Sequence, residues 1–135
     1  MSKLIYLACP YTSPDETTRR DRVEAASWFA ADLMAKHDFA VFSPITHGHQ
    51  VYDHLPPKLG QDHSFWMRQC LPMLRRCDEL ILIPLPGWQA SRGVEIELDF
   101  AASAHIPIGF IQSDAFECMT LHQPSIFWKR YDLYI

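Results

Sequence analysis

No stretch of this 135-residue chain approaches the ~18 consecutive apolar residues that a membrane span needs. A membrane is therefore not an expected partner. Positive charge is in short supply too, with 12 Lys and Arg against 16 Asp and Glu and a formal net charge of −4. A protein that grips the nucleic-acid backbone draws its affinity from an excess of cations, so no nucleic-acid partner is expected. A single small nucleotide stays open, because one helix N-terminus can hold a phosphate without a basic patch. Cysteine pairs are missing as well. Cys9, Cys70, Cys77 and Cys118 form no C-x-x-C unit, and no secretory leader is read ahead of them. The expectation is a reduced, cytoplasmic protein with free thiols. Internal repeats and low-complexity segments do not occur.

What is present is ordinary in composition, 48% hydrophobic and 21% charged, and long enough for one domain over residues 1–135 with a single core. The chain is organised around residues 79–104, ELILIPLPGWQASRGVEIELDFAASA. The apolar run from Leu80 to Leu85 reads as a buried strand, and Pro86, Gly87 and Trp88 break it. Ser91 then stands where an N-cap stands before a helical pattern. A strand feeding a capped helix leaves free N–H groups and positive dipole at the strand's C-terminal end, where a phosphate or a sugar oxygen would sit.

At about 100° per residue, Val94, Leu98, Ala101 and Ala102 share the apolar arc of that helix, while Glu95, Asp99 and Ser103 gather opposite. Glu97 does not join the charged side. It lies on the apolar arc, about 6 Å along the axis from Gly93 at ~1.5 Å per residue. Such a carboxylate either snorkels out, pairs with an arginine such as Arg92, or lines a cleft.

The rest of the chain supplies the frame. Residues 3–9 (KLIYLAC) read as the first strand, stopped by Pro10. Ser13, Pro14 and Glu16 have the spacing of a capping box, opening a helix to about Lys36 with Val23, Ala26, Ala30 and Leu33 inward. Arg19, Arg20 and Arg22 read as a solvated face from which one guanidinium can reach a phosphate. Residues 39–43 form the second strand, ended by Pro44. Residues 44–62 read as a long loop, a lid over the site. His47 and His49 lack a convincing third ligand, so no metal is expected. Residues 62–76 are helical in pattern, kinked or split at Pro72. Asp78 reads as a structural cap at the next strand. Residues 106–111 (IPIGFI) form a fourth strand. The extension over 111–135 is rich in aromatics, among them Phe116, Phe127, Trp128, Tyr131 and Tyr134, part of it a further strand or short helix and part a subunit interface. A homo-oligomer is therefore expected. Strands alternating with helices predict a parallel α/β sheet covered on both faces, flavodoxin-like or Rossmann-like, with the site at the strands' C-terminal ends.

Residues 91–101 read S-x-G-V-x-x-E-L-x-x-A, which resembles the signature of the nucleoside 2-deoxyribosyltransferase superfamily. The 2′-deoxynucleoside 5′-phosphate N-hydrolases share the Ser-x-Gly-Val form, where the transferases usually carry Asp in place of Ser91. Tyr6, Leu7, Ala8, Cys9, Pro10 and Tyr11 resemble the superfamily's first-strand motif. Phe42, Ser43, Pro44, Trp66, Cys77, Asp78, Gly87 and Trp88 look most like a short bacterial family of unknown function within it. The similarity runs over about 4–111.

The resemblance implies that Glu97 is the nucleophile at a sugar's anomeric carbon and that the Tyr6 hydroxyl lies beside it. Read without the resemblance, Tyr6 is equally a core aromatic. The implied substrate contacts are Cys9, Pro10, Tyr11, Pro44, His47, Cys70, Gly87, Trp88, Ser91 and Gly93. The substrate would be a small nucleoside or nucleotide, and the chemistry requires no metal or organic cofactor. Cys70 departs from the relatives, which carry an aspartate there to orient sugar hydroxyls or manage the proton of the leaving base. A thiol, with its ordinary pKa of about 8.5, is a weaker substitute, so catalysis would be slow unless Asp62 or His63 supplied an acid. The expected activity is N-glycosidic cleavage, as a transferase or as a nucleotide N-hydrolase. The alternative of another class is a nucleotide-binding or sensing module whose catalysis went with that aspartate.

Overall fold

A computed structural model describes residues 2–111 and 131–134. The strands β1 (Lys3–Ala8), β2 (Phe39–Phe42), β3 (Glu79–Leu82), β4 (Ile108–Ile111) and β5 (Tyr131–Tyr134) form one sheet in the order β2-β1-β3-β4-β5. The first four run parallel and β5 is antiparallel to β4. Parallel strands covered on both faces need apolar residues throughout, and β3 with Ile83 behind it is buried at every position. Asp78 fixes the start of the β1–β3 pairing. Its N–H donates to the Leu4 carbonyl and its carboxylate accepts from the Leu4 N–H, each at 2.7 Å.

Alternation along β1 divides the core. Ile5, Leu7 and Cys9 face α1 (Glu16–Lys36), which contributes Ala25, Ala26, Phe29, Ala30 and Leu33. Tyr6 and Ala8 face the other layer, with Cys70 and Leu74 from α4 (His63–Arg75) and Val94 and Ala101 from α5 (Arg92–Ser103). Helices thus cover both faces of a single α/β domain, as the alternation of elements predicts.

Several local expectations are corrected. Asp15, not Ser13, caps α1, accepting from the N–H groups of Thr17 and Thr18. Ser13 lies two residues too early, and its hydroxyl accepts from the Asp15 N–H instead. The expected loop over 44–62 is largely helical, with α2 (Pro44–Tyr52) and the single turn α3 (Pro57–Gly60). Pro44 sits in the first turn of α2, where its missing N–H costs nothing. The helix α4 continues through Pro72 without splitting. Pro72 is exposed while Cys70 and Leu74 on either side are buried against the sheet, so packing holds the helix together. On α5 the buried residues are Val94, Glu97 and Ala101, whereas Ala102 is exposed.

The backbone of β5 provides the further strand expected from the tail, while Phe116, Cys118, Phe127 and Trp128 lie outside the described residues. No helix among the described residues is long and apolar enough to cross a membrane.

Candidate active site

The order β2-β1-β3-β4 reverses direction between β1 and β3, since the chain moves outward from β1 to β2 and then crosses back to β3. At such a switch point the connections leave in opposite directions and open a crevice at the strands' C-terminal ends. A cleft of about 520 Å³ lies there, within the size range of small-molecule sites. The segment after β1 contributes Cys9, Tyr11, Thr12, Ser13 and Pro14, and α1 contributes Arg19. The segment after β2 supplies Pro44, Ile45, Gly48, His49 and Tyr52. Gly60 and Gln61 follow, then His63, Trp66, Met67 and Cys70 from α4. The start of α5 closes the ring with Ser91, Gly93, Val94 and Glu97.

Glu97 is only 5% exposed, a carboxylate set among apolar neighbours. Its partner is Tyr6, whose hydroxyl donates to Oε2. The register explains the meeting: Tyr6 points to the α4/α5 layer by strand alternation, and Glu97 lies one turn past Gly93 on the inward arc. Tyr6 is therefore both a fully buried core aromatic and the hydrogen-bond partner of the carboxylate. Oε1 takes no hydrogen bond from the described residues. Arg92 does not pair with Glu97; it pairs with exposed Glu95 at 3.1 Å.

Burial dominates the electrostatics. It pushes the Glu97 carboxyl up to about 7, with the Tyr6 hydrogen bond pulling the other way. The Tyr6 hydroxyl is raised well above the usual phenol range, by burial first and then by the Glu97 charge. Cys70 adjoins this pair. Burial and the Glu97 charge push its thiol up to about 11, against a hydrogen bond with Tyr6. The Cys9 thiol is also raised, chiefly by burial, with Arg22 opposing. Neither thiol is a ready nucleophile.

Ser91 caps α5, its hydroxyl accepting from the Val94 N–H at 3.3 Å. A Cβ on Gly93 would meet only the Met67 methyl at 3.9 Å, an ordinary contact. The side-chain space at Gly93 is therefore empty on the cleft wall. Arg19 donates to the Ser13 carbonyl and Arg22 to those of Thr12 and Pro86, at 3.0 and 3.2 Å, so these guanidinium groups brace the loop as well as bordering it.

Of the residues expected at the site, Cys9, Tyr11, Pro44, Cys70, Ser91, Gly93 and Glu97 line the cleft, with Tyr6 directly behind Glu97. Pro10, His47, Gly87 and Trp88 do not. Pro10 is buried, and His47 turns outward on α2. Gly87 is an exposed turn residue with φ 91°, and Trp88 packs edge-on against Phe110 at 5.5 Å. Sequence reasoning missed the aromatic wall of Tyr52 and Trp66. The Trp66 indole N–H donates to the Gly60 carbonyl at 2.7 Å, and its ring lies 3.2 Å from where a Gly48 Cβ would be. The signal was the pair Gly48 and Gly60, small residues that admit the rings of Trp66 and Tyr52.

Fold and cleft together define a Rossmann-like α/β protein with a small-molecule-sized site at its switch point and a buried carboxylate within it. A family model matches residues 3–113. The chain belongs to that family, described as domain of unknown function DUF1937. No curated protein matches it.

Proposed function

We propose that this protein is an enzyme that cleaves the N-glycosidic bond of a (deoxy)nucleoside, with Glu97 as nucleophile, as the resemblance to the nucleoside 2-deoxyribosyltransferase superfamily implies. The observation that carries the reading is the buried Glu97–Tyr6 pair on the wall of the switch-point cleft. Tyr6 occupies one carboxylate oxygen and orients the other toward the sugar. Glu97 attacks the anomeric carbon through an oxocarbenium-like transition state, the bond to the base breaks, and its electron pair leaves with the base nitrogen. Water or a second base then displaces the glycosyl ester and restores the carboxylate. Burial serves this step by raising the energy of the free carboxylate relative to the neutral ester.

A 5′-phosphorylated substrate is favoured over a free nucleoside by one observation. Arg19 borders the same cleft as Ser91 and the first turn of α5, a cation and a set of N–H groups suited to a phosphate. The test is incubation with 2′-deoxynucleosides and their 5′-phosphates, with and without a free acceptor base, for the wild type and Glu97→Gln. Base exchange marks a transferase, and base release only from phosphates marks an N-hydrolase. Binding without turnover would replace the enzyme reading with that of a sensing module.

A further inference from the structure

We infer that His49 is the acid that protonates the departing base, with Tyr11 as the residue that positions it. The inference rests on the reading of Glu97 as nucleophile. Breaking the bond between sugar and base leaves an electron pair on the base nitrogen, and a nucleobase departs far more readily when a proton meets that pair. A cleft built on a buried carboxylate therefore calls for a proton donor elsewhere on its wall.

The lining offers few groups for this role. Cys9, Cys70 and Tyr11 line the cleft, but burial makes each hold its proton more tightly than usual. Asp62 is not in the lining; its carboxylate caps α4, accepting from the Ser64 N–H at 2.9 Å. His63 borders the cleft as the exposed first residue of α4, with no partner among the described residues to fix its ring. His49 differs from it in being held. It is half-buried on α2, its Nδ1 lies 2.9 Å from the Tyr11 hydroxyl, and the two rings meet edge-on with centroids 5.8 Å apart. Nε2 makes no hydrogen bond with a described residue, so it is the nitrogen left to serve a ligand.

The proton balance follows from that division. In the imidazolium form, Nδ1–H donates to the Tyr11 oxygen and Nε2 carries the mobile proton. As Glu97 bonds to the anomeric carbon, the electron pair of the breaking bond goes to the base nitrogen. The Nε2 proton goes to the base, leaving neutral His49 still tied to Tyr11. In the second half the Nε2 lone pair takes a proton from the attacking water or acceptor base. The ester oxygen keeps its electron pair and becomes the Glu97 carboxylate again. Tyr11 remains a neutral phenol throughout, consistent with burial, which disfavours its anion despite nearby Arg19.

The experiment compares a 2′-deoxynucleoside with the 4-nitrophenyl glycoside of the same sugar, whose phenolate departs without a proton. His49→Gln is expected to slow nucleoside cleavage by about 10²–10⁴-fold and aryl glycoside cleavage by far less. Tyr11→Phe should give the same split at smaller size, because the imidazole remains but is less well held. Equal losses on both substrates from His49→Gln, or no loss on either, would overturn the inference, as would the split appearing in His63→Gln instead. Failure of the underlying reading looks different: Glu97→Gln would then retain activity, or the wild type would cleave neither substrate.

Discussion

At the scale of the residue, Glu97 carries two opposed consequences of one burial. Its proton is held up to about 7 in the folded chain against an ordinary 4.5. Between these values the folded state binds the additional proton. Stability is therefore full below about pH 4.5, falls as pH rises, and has lost this contribution above about 7. The loss amounts to about 3 kcal/mol at ~1.4 kcal/mol per unit, so Glu97→Gln should flatten the pH dependence of stability measured by urea denaturation. In the proposed reaction activity runs the other way, because the carboxylate is the attacking form: on the 4-nitrophenyl glycoside, whose departure needs no proton, kcat/KM should climb as pH passes through about 7. Since the Tyr6 hydrogen bond lowers the Glu97 value, Tyr6→Phe should move that rising limb to higher pH. A limb in the ordinary carboxylic range, or one that moves down in Tyr6→Phe, would separate Glu97 from the chemistry.

At the scale of the element, the start of α5 shows how a helix is shaped for something outside itself. Gly93 lies within the first turn of α5, where an alanine would favour the helix by up to about 1 kcal/mol. No turn demands the glycine, because its φ is not positive, and no neighbour does, because the nearest atom to an added Cβ is 3.9 Å away. On the proposed reading, the glycine leaves room for a ligand approaching the first-turn N–H groups. Gly93→Ala should therefore raise the denaturation midpoint slightly while weakening substrate binding, seen as a higher KM. A variant that is more stable and equally active would return Gly93 to the structural background. The expected loop over 44–62 makes a complementary point. Pro44, Gly48, Pro56, Pro57 and Gly60 are breakers by local rules, yet α2 forms because Pro44 falls in its first turn and Gly48 seats the Trp66 ring. The helix depends on partners that local sequence does not display.

At the scale of the whole molecule, what was legible in the sequence depended on distance along the chain. The four parallel strands showed as apolar runs, and the inward placement of Glu97 followed from helical period, because both are local properties. Its pairing with Tyr6, 91 residues away, was implied by the family resemblance alone, and its physical basis needed the sheet. So did the exclusion of Trp88, whose ring is claimed by Phe110 on a neighbouring strand. The same architecture brings Arg19 from α1 and Ser91 from the start of α5 to a single cleft, so the phosphate contact proposed above would be a property of the assembled fold. In Glu97→Gln, where turnover is removed, a deoxynucleoside 5′-phosphate should raise unfolding stability by about 2.7 kcal/mol at a hundredfold excess over its Kd. At equal concentration the unphosphorylated nucleoside should stabilise less. Adding Arg19→Gln should erase most of that difference and leave the effect of the nucleoside nearly unchanged, because only the phosphate addresses the guanidinium. If nucleoside and nucleotide stabilise equally, or if Arg19→Gln weakens both alike, Arg19 acts only as the brace of the Ser13 loop and the substrate carries no phosphate at this end of the cleft.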